Sequence, residues 1–274
     1  METALFQRFA ALAHRKAGIS IRPGKEALVS ARIARRQRAL DLGDAWGYLA
    51  YLEQDTTGEE LARFVDSIST HFTSFFREPD HFADLRAEIA RCVAEGRRRV
   101  RLWSAASSTG EEPYTMAMTA LEVEGADRLD LRILATDVAE GTLRQAMEGR
   151  YPASRLAPVP PPLRERWFVR CPGPDGPEGG WWEVASALRA VVAFRHLNLA
   201  APPFPMSGPF DVVFCRNVLI YFDTPTRQRL VAAIERLLRP GGLLCIGHTE
   251  TLSGLRSQLR LQRPSVFRKA AARP

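Results

Sequence analysis

The clearest indication of a fold in this sequence is the stretch Arg101-Leu-Trp-Ser-Ala-Ala-Ser-Ser-Thr-Gly-Glu-Glu-Pro-Tyr114. It opens with an apolar run that is typical of a strand and continues through small residues, which let a ligand approach the backbone closely. Pro113 then stands where the first turn of a helix tolerates proline. The stretch therefore predicts a strand, a ligand-binding loop and a helix over residues 111–121.

The alternation of strands and helices continues along the rest of the chain. Predicted strands cover residues 99–105, 131–136, 191–196, 211–215 and 243–247, and predicted helices cover 111–121, 139–147 and 224–238. Residues 239–242, Arg-Pro-Gly-Gly, predict a turn before the last strand. This pattern is typical of a parallel sheet covered on both faces, which binds ligands beyond the carboxyl ends of its strands.

One segment interrupts this alternation. Residues 158–162 form a proline cluster, and residues 172–180 contain four glycines and three prolines. Aromatic and apolar residues at 167–169 and 181–184 flank the second run. The pattern predicts a β-hairpin within an insertion at about 165–195.

Residues 1–75 predict a separate helical domain, and residues 76–274 predict the sheet domain. The apolar positions of the first helix fall on one face, namely Leu5, Phe6, Phe9 and Leu12. Gly18 suits the end of that helix. Asp44 is predicted to cap a third helix, and Thr57 with Glu60 predicts a capping box for a fourth.

The charge of the chain favours an acidic partner. The net charge is +7 and the pI is about 9.7, and arginine supplies most of the positive charge. In a second helix over 25–40, three arginines turn away from the apolar stripe and predict an exposed basic face of Arg32, Arg35 and Arg38. Charge alone leaves nucleic acid, an acidic protein surface and simple solvation open.

Cysteine spacing and hydropathy exclude other classes. The four cysteines lie thirty or more residues apart, which argues against structural zinc and favours reduced thiols. The N-terminus lacks the apolar core of a signal peptide, and no run of eighteen apolar residues predicts a membrane span. We expect a cytoplasmic protein without a metal site.

The predicted strand ends suit an adenosine-containing cofactor without phosphate. A dinucleotide-binding loop contains three glycines, whereas this loop contains only Gly110. Glu111 and Glu112 at the start of the helix would repel a phosphate and attract a cation. Asp137 ends the next strand, where it can accept hydrogen bonds from ribose hydroxyls. S-adenosylmethionine has this chemistry, since it carries a sulfonium and an ammonium group.

Six motifs follow one another along the chain: Thr73-Ser-Phe-Phe-Arg-Glu78, Trp103-Ser-Ala-Ala-Ser-Ser-Thr-Gly-Glu-Glu-Pro-Tyr114, Ala135-Thr-Asp137, Asn198-Leu199, Phe210-Asp-Val-Val-Phe-Cys-Arg-Asn-Val-Leu-Ile-Tyr-Phe-Asp223 and Gly247-His-Thr-Glu250. In order and spacing they resemble the motifs of the CheR-type chemoreceptor methyltransferases. The resemblance implies an α/β fold: a small N-terminal all-helical domain, then a Rossmann-like class I methyltransferase domain with a small antiparallel β-subdomain inserted. It also implies methyl transfer from S-adenosylmethionine to receptor glutamates, which form methyl esters in sensory adaptation.

The same resemblance implies the site residues. Those expected to line the cofactor site are His71, Thr73, Arg77, Glu112, Asp137, Asn198, Leu199, Arg216 and Asn217. Arg77, Asp137 and Tyr221 match positions that the family needs for activity. His71 stands where better-known members carry an asparagine. An imidazole retains one hydrogen bond, so we expect altered cofactor affinity rather than loss of function.

Methyl transfer to a glutamate requires no general base, because a carboxylate with a pKa of about 4.3 is ionised at neutral pH. We therefore expect Arg77 and Tyr221 to position the reacting groups without transferring a proton. The aromatic residues Phe72, Phe75 and Phe76 are interpreted as packing residues.

The resemblance further implies that the basic face meets acidic methylation helices of receptors. In some members the β-subdomain also pairs with a peptide at the receptor C-terminus. The turn at 171–180 is longer and richer in proline than in those members, which argues against such tethering here. Two alternatives stay open: methylation of RNA or a small molecule, and a domain that senses S-adenosylmethionine without turnover. We expect no nucleic-acid partner and no membrane insertion.

Overall fold

The computed structural model describes residues 2–21, 24–69, 71–174 and 176–271, so Asp175 of the predicted turn at 171–180 lies outside the described residues. The N-terminal helices are α1 (Thr3–Ala17), α2 (Glu26–Ala39), α3 (Ala45–Glu53) and α4 (Glu59–Ile68). One buried cluster contains the predicted apolar face of α1. Gly18 ends α1 with φ 70°, and Asp44 accepts the Gly47 N–H at 2.7 Å, so both predicted helix boundaries are confirmed.

The capping box predicted for α4 is wrong. The Thr57 N–H donates to Asp55 Oδ1 at 3.0 Å rather than to Glu60, and Asp55 Oδ2 accepts the Leu61 N–H at 2.9 Å. Glu60 is buried, and its carboxylate accepts from the Arg36 guanidinium at 2.6 Å. A buried carboxylate requires an opposite charge, and this pairing takes Glu60 away from the backbone.

Only part of the predicted basic face is exposed. Arg35 and Arg38 are exposed on α2, whereas Arg32 is half-buried. The Arg32 guanidinium donates to the carbonyl oxygens of Ile68 at 2.7 Å and Ser69 at 3.2 Å. The last carbonyls of a helix have no partner within that helix, and here Arg32 supplies one. The expected exposure of Arg32 is therefore wrong, and the residue joins α2 to the end of α4.

The second part of the chain forms a seven-stranded sheet in the order β6-β2-β1-β7-β8-β10-β9. Its strands are β1 (Arg99–Ser104), β2 (Asp130–Asp137), β6 (Val192–His196), β7 (Phe210–Cys215), β8 (Leu238–Ile246), β9 (Leu259–Arg263) and β10 (Val266–Lys269). The five strands from β6 to β8 in this order are parallel, and β10 and β9 are antiparallel. Each predicted strand is present with shifted ends.

Helices cover both faces of this sheet. They are α5 (Asp80–Ala94), α6 (Glu111–Leu121), α7 (Glu140–Glu148), α8 (Pro161–Trp167), α9 (Ser186–Val191) and α10 (Thr224–Leu237). The helix predicted over 111–121 is α6, and those predicted over 139–147 and 224–238 are α7 and α10. Two buried apolar clusters fill the layers between helices and sheet. Among the described residues, no helix has the length and apolarity that a membrane span requires.

The turn predicted at 239–242 lies inside β8. Phe210 pairs with Leu238 and Val212 pairs with Leu243, so residues 239–242 bulge out between two strand pairs. Gly241 has φ 75°, which allows this bulge. The strand thus begins earlier than predicted.

A separate antiparallel sheet has the order β3-β5-β4, formed by β3 (Arg150–Pro152), β4 (Phe168–Gly173) and β5 (Gly176–Val184). The predicted hairpin is the pair β4–β5. Its third strand, β3, lies before the expected range of 165–195, and β6 within that range belongs to the large sheet.

Candidate active site

A cleft with an empty volume of about 940 Å³ lies at the carboxyl ends of β1, β2 and β7. This is the topological switch point of the sheet, where the strand order reverses. From β1 the chain continues outward to β2 and β6, and it then returns to β7 on the other side of β1. The helical domain contributes Ala17, Ile19, Ile68 and Ser69 to the wall. Tyr221 lines the cleft together with all nine predicted cofactor residues: His71, Thr73, Arg77, Glu112, Asp137, Asn198, Leu199, Arg216 and Asn217.

The loop after β1 holds Asp137 in place. Gly110 has φ 97°, and a Cβ there would lie 2.7 Å from the Tyr151 hydroxyl, so this turn requires glycine. Ser108 directs its N–H to Asp137 Oδ2 at 2.8 Å, and the Ala139 N–H donates to Oδ1 at 3.0 Å. Each carboxylate oxygen has a second lone pair for a ligand. Asp137 is therefore both a cap for its turn and an oriented acceptor.

Arg216 forms the centre of a buried ion-pair network. It donates to Glu112 Oε2 at 3.1 Å and to Glu78 Oε2 at 3.0 Å, and lies 5.5 Å from the ring centres of Phe82 and Phe214. Burial raises the pKa of Glu112 despite the opposing effect of Arg216. Burial also acts to raise the pKa of Glu78, but Arg216 and further donors outweigh it and lower this pKa. The network holds Arg216 and Glu112 in fixed positions in the lining of the cleft.

Of the two acids that begin α6, only Glu112 faces the cleft. Its Oε1 accepts the Ser104 hydroxyl at 2.7 Å. Glu111 is completely buried elsewhere, where it accepts from the Thr109 hydroxyl at 2.6 Å and from Arg155 at 3.2 Å. The two acids therefore do not act as a pair towards a ligand, and the one that lines the cleft is Glu112, the predicted cofactor residue.

Glu250 fixes the loop that carries Arg216, Asn217 and Tyr221. Its Oε2 accepts the N–H of Asn217 at 2.9 Å and that of Gly247 at 2.6 Å. Asn217 has φ 56°. A Cβ at Gly247 would lie 2.4 Å from the side-chain nitrogen Nδ2 of Asn217, so a side chain at position 247 would displace Asn217. Sequence reasoning misses Glu250 as a positioning residue, and its only signal is its place in the motif Gly247-His-Thr-Glu250.

Arg77 lies in a strained loop at the cleft wall. Phe76 and Glu78, on either side of it, have φ of 54° and 56°, a conformation that a bulky residue rarely adopts. The Arg77 guanidinium lies 5.2 Å from the centre of the Phe72 ring, and its Nη1 donates to the Phe72 carbonyl oxygen at 2.7 Å. Phe75 is buried, as a packing residue should be. Phe72 is 74% exposed, so the packing interpretation is wrong for it.

His71 and Asn198 line the cleft and also bind neighbouring elements. One ring nitrogen of His71 lies 3.0 Å from the Asp66 carbonyl oxygen in α4, and the other lies 3.3 Å from the Thr142 hydroxyl in α7. The Asn198 amide donates to the Lys16 carbonyl oxygen in α1 at 2.8 Å. Both residues therefore connect the helical domain to the sheet domain beside the cleft.

Three predicted residues complete the lining. Leu199 contributes a buried apolar surface, and the Thr73 carbonyl oxygen accepts from Arg155 at 3.2 Å. Tyr221 is half-buried, and its carbonyl oxygen accepts the Ser20 N–H at 2.7 Å. The structure thus brings the predicted cofactor and catalytic residues together, while the three arginines of α2 lie outside the cleft lining.

A group of potential metal ligands lies beside the cleft. Glu78, His81 and His248 each place one ligand atom within 4.8 Å of the others. Arg216 and Asn217 already donate to the Glu78 carboxylate, at 3.0 Å and 3.3 Å. A cation would compete with a guanidinium for the same oxygens, which disfavours metal binding.

Residues 71–266 match the model of the CheR methyltransferase SAM binding domain. Together with the fold and the cleft, this match identifies the chain as an S-adenosylmethionine-dependent methyltransferase. Residues 4–69 match the model of the CheR methyltransferase all-alpha domain. The chain belongs to the CheR methyltransferase family.

The chain is similar to chemotaxis protein methyltransferases over most of their length. Chemotaxis protein methyltransferase 2 of Pseudomonas aeruginosa is 42% identical over 245 residues, which cover 89% of this chain and 85% of the relative. Chemotaxis protein methyltransferase of Escherichia coli is 38% identical over 267 residues, covering 97% and 91%. Among solved structures, a DhpI–SAH complex is 15% identical and covers 90% of this chain and 79% of that one at a TM-score of 0.36, a similarity too slight to bear on function.

S-adenosylmethionine, the cofactor of this enzyme, fits the residues of the cleft. The Asp137 carboxylate, which two backbone N–H groups hold in place, would accept from the ribose hydroxyls of this cofactor. Val138, Leu199 and Val218 offer apolar surface to an adenine ring.

Proposed function

We propose that this enzyme transfers the methyl group of S-adenosylmethionine to glutamate side chains on the cytoplasmic helices of chemoreceptors. The product is a glutamyl methyl ester, and the reaction serves sensory adaptation in the cytoplasm. One observation carries the proposal: Arg77, Asp137 and Tyr221 meet in a single cleft, in a chain whose relatives are chemotaxis protein methyltransferases over nearly their whole length.

The residues of the cleft suit a displacement that needs no proton transfer. The bound cofactor supplies a methyl group on a positively charged sulfur. Transfer to a glutamate carboxylate would form one C–O bond as the C–S bond breaks, with the electron pair left on sulfur, so no side chain of the enzyme would need to move a proton. Since the carboxylate is already ionised, the protein must hold its oxygen within roughly 3–3.5 Å of the methyl carbon and exclude water from the cleft. Arg77 and Tyr221 both line the cleft, which supports this role for them.

The proposed domain roles follow from packing and charge. Residues 1–75 form the substrate-recognition domain, supported by a buried cluster that is drawn from residues 5–68. Residues 76–274 form the methyltransferase domain, and its β-subdomain consists of β3, β4 and β5. Arg35 and Arg38 are exposed for contact with an acidic receptor helix, while Arg32 supports the surface that carries them.

We further propose that the receptor tail does not bind the β-subdomain. A peptide that pairs with a strand edge needs backbone N–H donors on that edge. Pro172 and Pro174, in the distal half of the hairpin, have none.

Radiolabelled methyl transfer to purified receptor cytoplasmic fragments, with and without their C-terminal tails, tests these statements together. We expect equal, base-labile label on both fragments, because esters hydrolyse in base. Base-stable label, or label on RNA instead, would exclude glutamate methylation. Cofactor binding without any label would favour a sensing domain.

A further inference from the structure

Phe72 is an unusual residue for a cleft wall. It lines the cleft and is 74% exposed, more than the other large apolar side chains of the described residues. An exposed aromatic ring of this size is costly to leave in water, and aromatic residues are enriched among the binding hot spots of interfaces. The position therefore suggests a contact that forms only when a partner is bound.

The ring also controls where the Arg77 guanidinium lies. Arg77 stacks on the ring at 5.2 Å and donates from Nη1 to the carbonyl oxygen of the same residue at 2.7 Å. A guanidinium has five N–H donors in one plane. The described contacts of Arg77 use one of them, so others remain for a carboxylate. Phe72 thus holds Arg77 by both its ring and its backbone.

The basic surface of α2 adjoins this part of the cleft. Arg32 donates to the carbonyl oxygens of Ile68 and Ser69, two residues that line the cleft just before Phe72 in the chain. Arg35 and Arg38 follow Arg32 at intervals of three on the same helix, where residues are neighbours, and both are exposed. An acidic helix that lies along α2 would therefore reach the cleft next to Phe72.

We propose that Phe72 is a positioning residue for the substrate: its ring holds Arg77 at the cleft wall and packs against the receptor helix beside the target glutamate. The partner is accordingly an acidic helix with an apolar residue next to that glutamate. This inference rests on the proposed function and adds the residue that aligns the carboxylate.

Steady-state kinetics of Phe72→Ala, Phe72→Leu and Phe72→Trp test the role of the ring. A cation–π contact of ordinary strength changes a rate or an affinity by roughly 2- to 30-fold. With a receptor fragment we expect the Ala and Leu variants to lower kcat/KM about tenfold, with a higher KM. The Trp variant should stay within about twofold of wild type. Leu261→Ala, at a residue that is 61% exposed in β9, is the matched control and should have no effect.

Two further measurements separate positioning from a loss of fold or of cofactor binding. The dissociation constant of S-adenosylhomocysteine, measured by calorimetry, should change less than about twofold in Phe72→Ala. In an Arg77→Lys background, Phe72→Ala should lower kcat/KM by a clearly smaller factor than it does in the wild-type background, because residues that act together give non-additive effects. An equal loss of kcat/KM in both backgrounds would overturn the proposal.

The remaining outcomes are equally decisive. A Leu variant as active as wild type would show that no ring is needed. Cofactor affinity that falls as far as kcat/KM would place Phe72 in the cofactor site alone. Either result overturns the role of Phe72. The proposed function still stands in both cases, provided that the wild-type enzyme methylates the receptor fragment. A wild-type enzyme that gives no base-labile label on the receptor would overturn both.

Discussion

Asp137 is already held by two backbone N–H groups, from Ser108 at 2.8 Å and Ala139 at 3.0 Å. An amide in its place can face only one of these donors with its oxygen and opposes the other with its NH₂ group. We expect Asp137→Asn to weaken binding of S-adenosylhomocysteine about 10- to 100-fold, because hydrogen bonds to charged groups contribute about 1.5–3 kcal/mol. Calorimetric titration measures this. Glu140→Gln, a neighbouring exposed acid outside the cleft lining, is the control, and equal affinities in all three proteins would contradict the prediction.

Residue identity was more predictable than residue partners. Motif spacing places Arg216 and Glu112 in the cleft, but the Arg216–Glu78–Glu112 network depends on the packing of α5, α6 and β7. The same limit explains Arg32, whose partner carbonyls lie at 68 and 69 and cannot be read from its own helix. A helical wheel shows which way a side chain leaves its helix. It does not show which neighbouring element meets it.

The start of α4 offers a test at the scale of one element. The pKa of Asp55 is lowered to about 2 from an ordinary value of 3.8, chiefly by the Leu61 N–H and then by the Thr57 hydroxyl. A lowered folded-state pKa stabilises the fold above the unfolded-state value, and this stabilisation disappears as the pH falls from about 4 to about 2. We expect Asp55→Asn to have a lower Tm than wild type at pH 7, with the gap narrowing below pH 4.

Melting curves followed by circular dichroism between pH 7 and pH 3 give this comparison. Asp127→Asn replaces another exposed carboxylate and should melt like wild type throughout. A gap for Asp55→Asn that stays constant down to pH 3 would mean that the charge of Asp55 does not stabilise α4.

Elements with a strong local period were predictable, and those defined by pairing were not. Helix α6 has the predicted bounds, and each parallel strand contains adjacent apolar residues that indicate a strand in the sequence. Strand β3 has only three residues, and β9 is largely polar and exposed at the sheet edge. The start of β8 depends on its pairing with Phe210, so the Arg-Pro-Gly-Gly sequence reads locally as a turn.

The whole molecule places its cleft between two domains, and contacts from both hold it. Asn198 binds the end of α1, Tyr221 binds Ser20, and His71 lies between α4 and α7. A Cβ at Gly18 would lie 2.2 Å from that of Ala200, so the end of α1 must approach the sheet domain closely. Binding of the substrate to the helical domain, as we propose, would thereby be coupled to the geometry of the cofactor site.

The excess positive charge of the chain should appear in the kinetics of methylation. With a net charge of +7, and with Arg35 and Arg38 exposed, long-range attraction should raise the rate at which an acidic receptor helix is captured. We expect kcat/KM to fall steeply as salt rises, because the screening length shortens from about 30 Å at 0.01 M to about 3 Å at 1 M. The double variant Arg35→Glu/Arg38→Glu should lower kcat/KM about tenfold at low salt and much less at 0.5 M. Arg256→Glu/Arg260→Glu changes the net charge equally at exposed positions outside α2, and a loss of the same size there would show that total charge, rather than the α2 surface, guides the receptor.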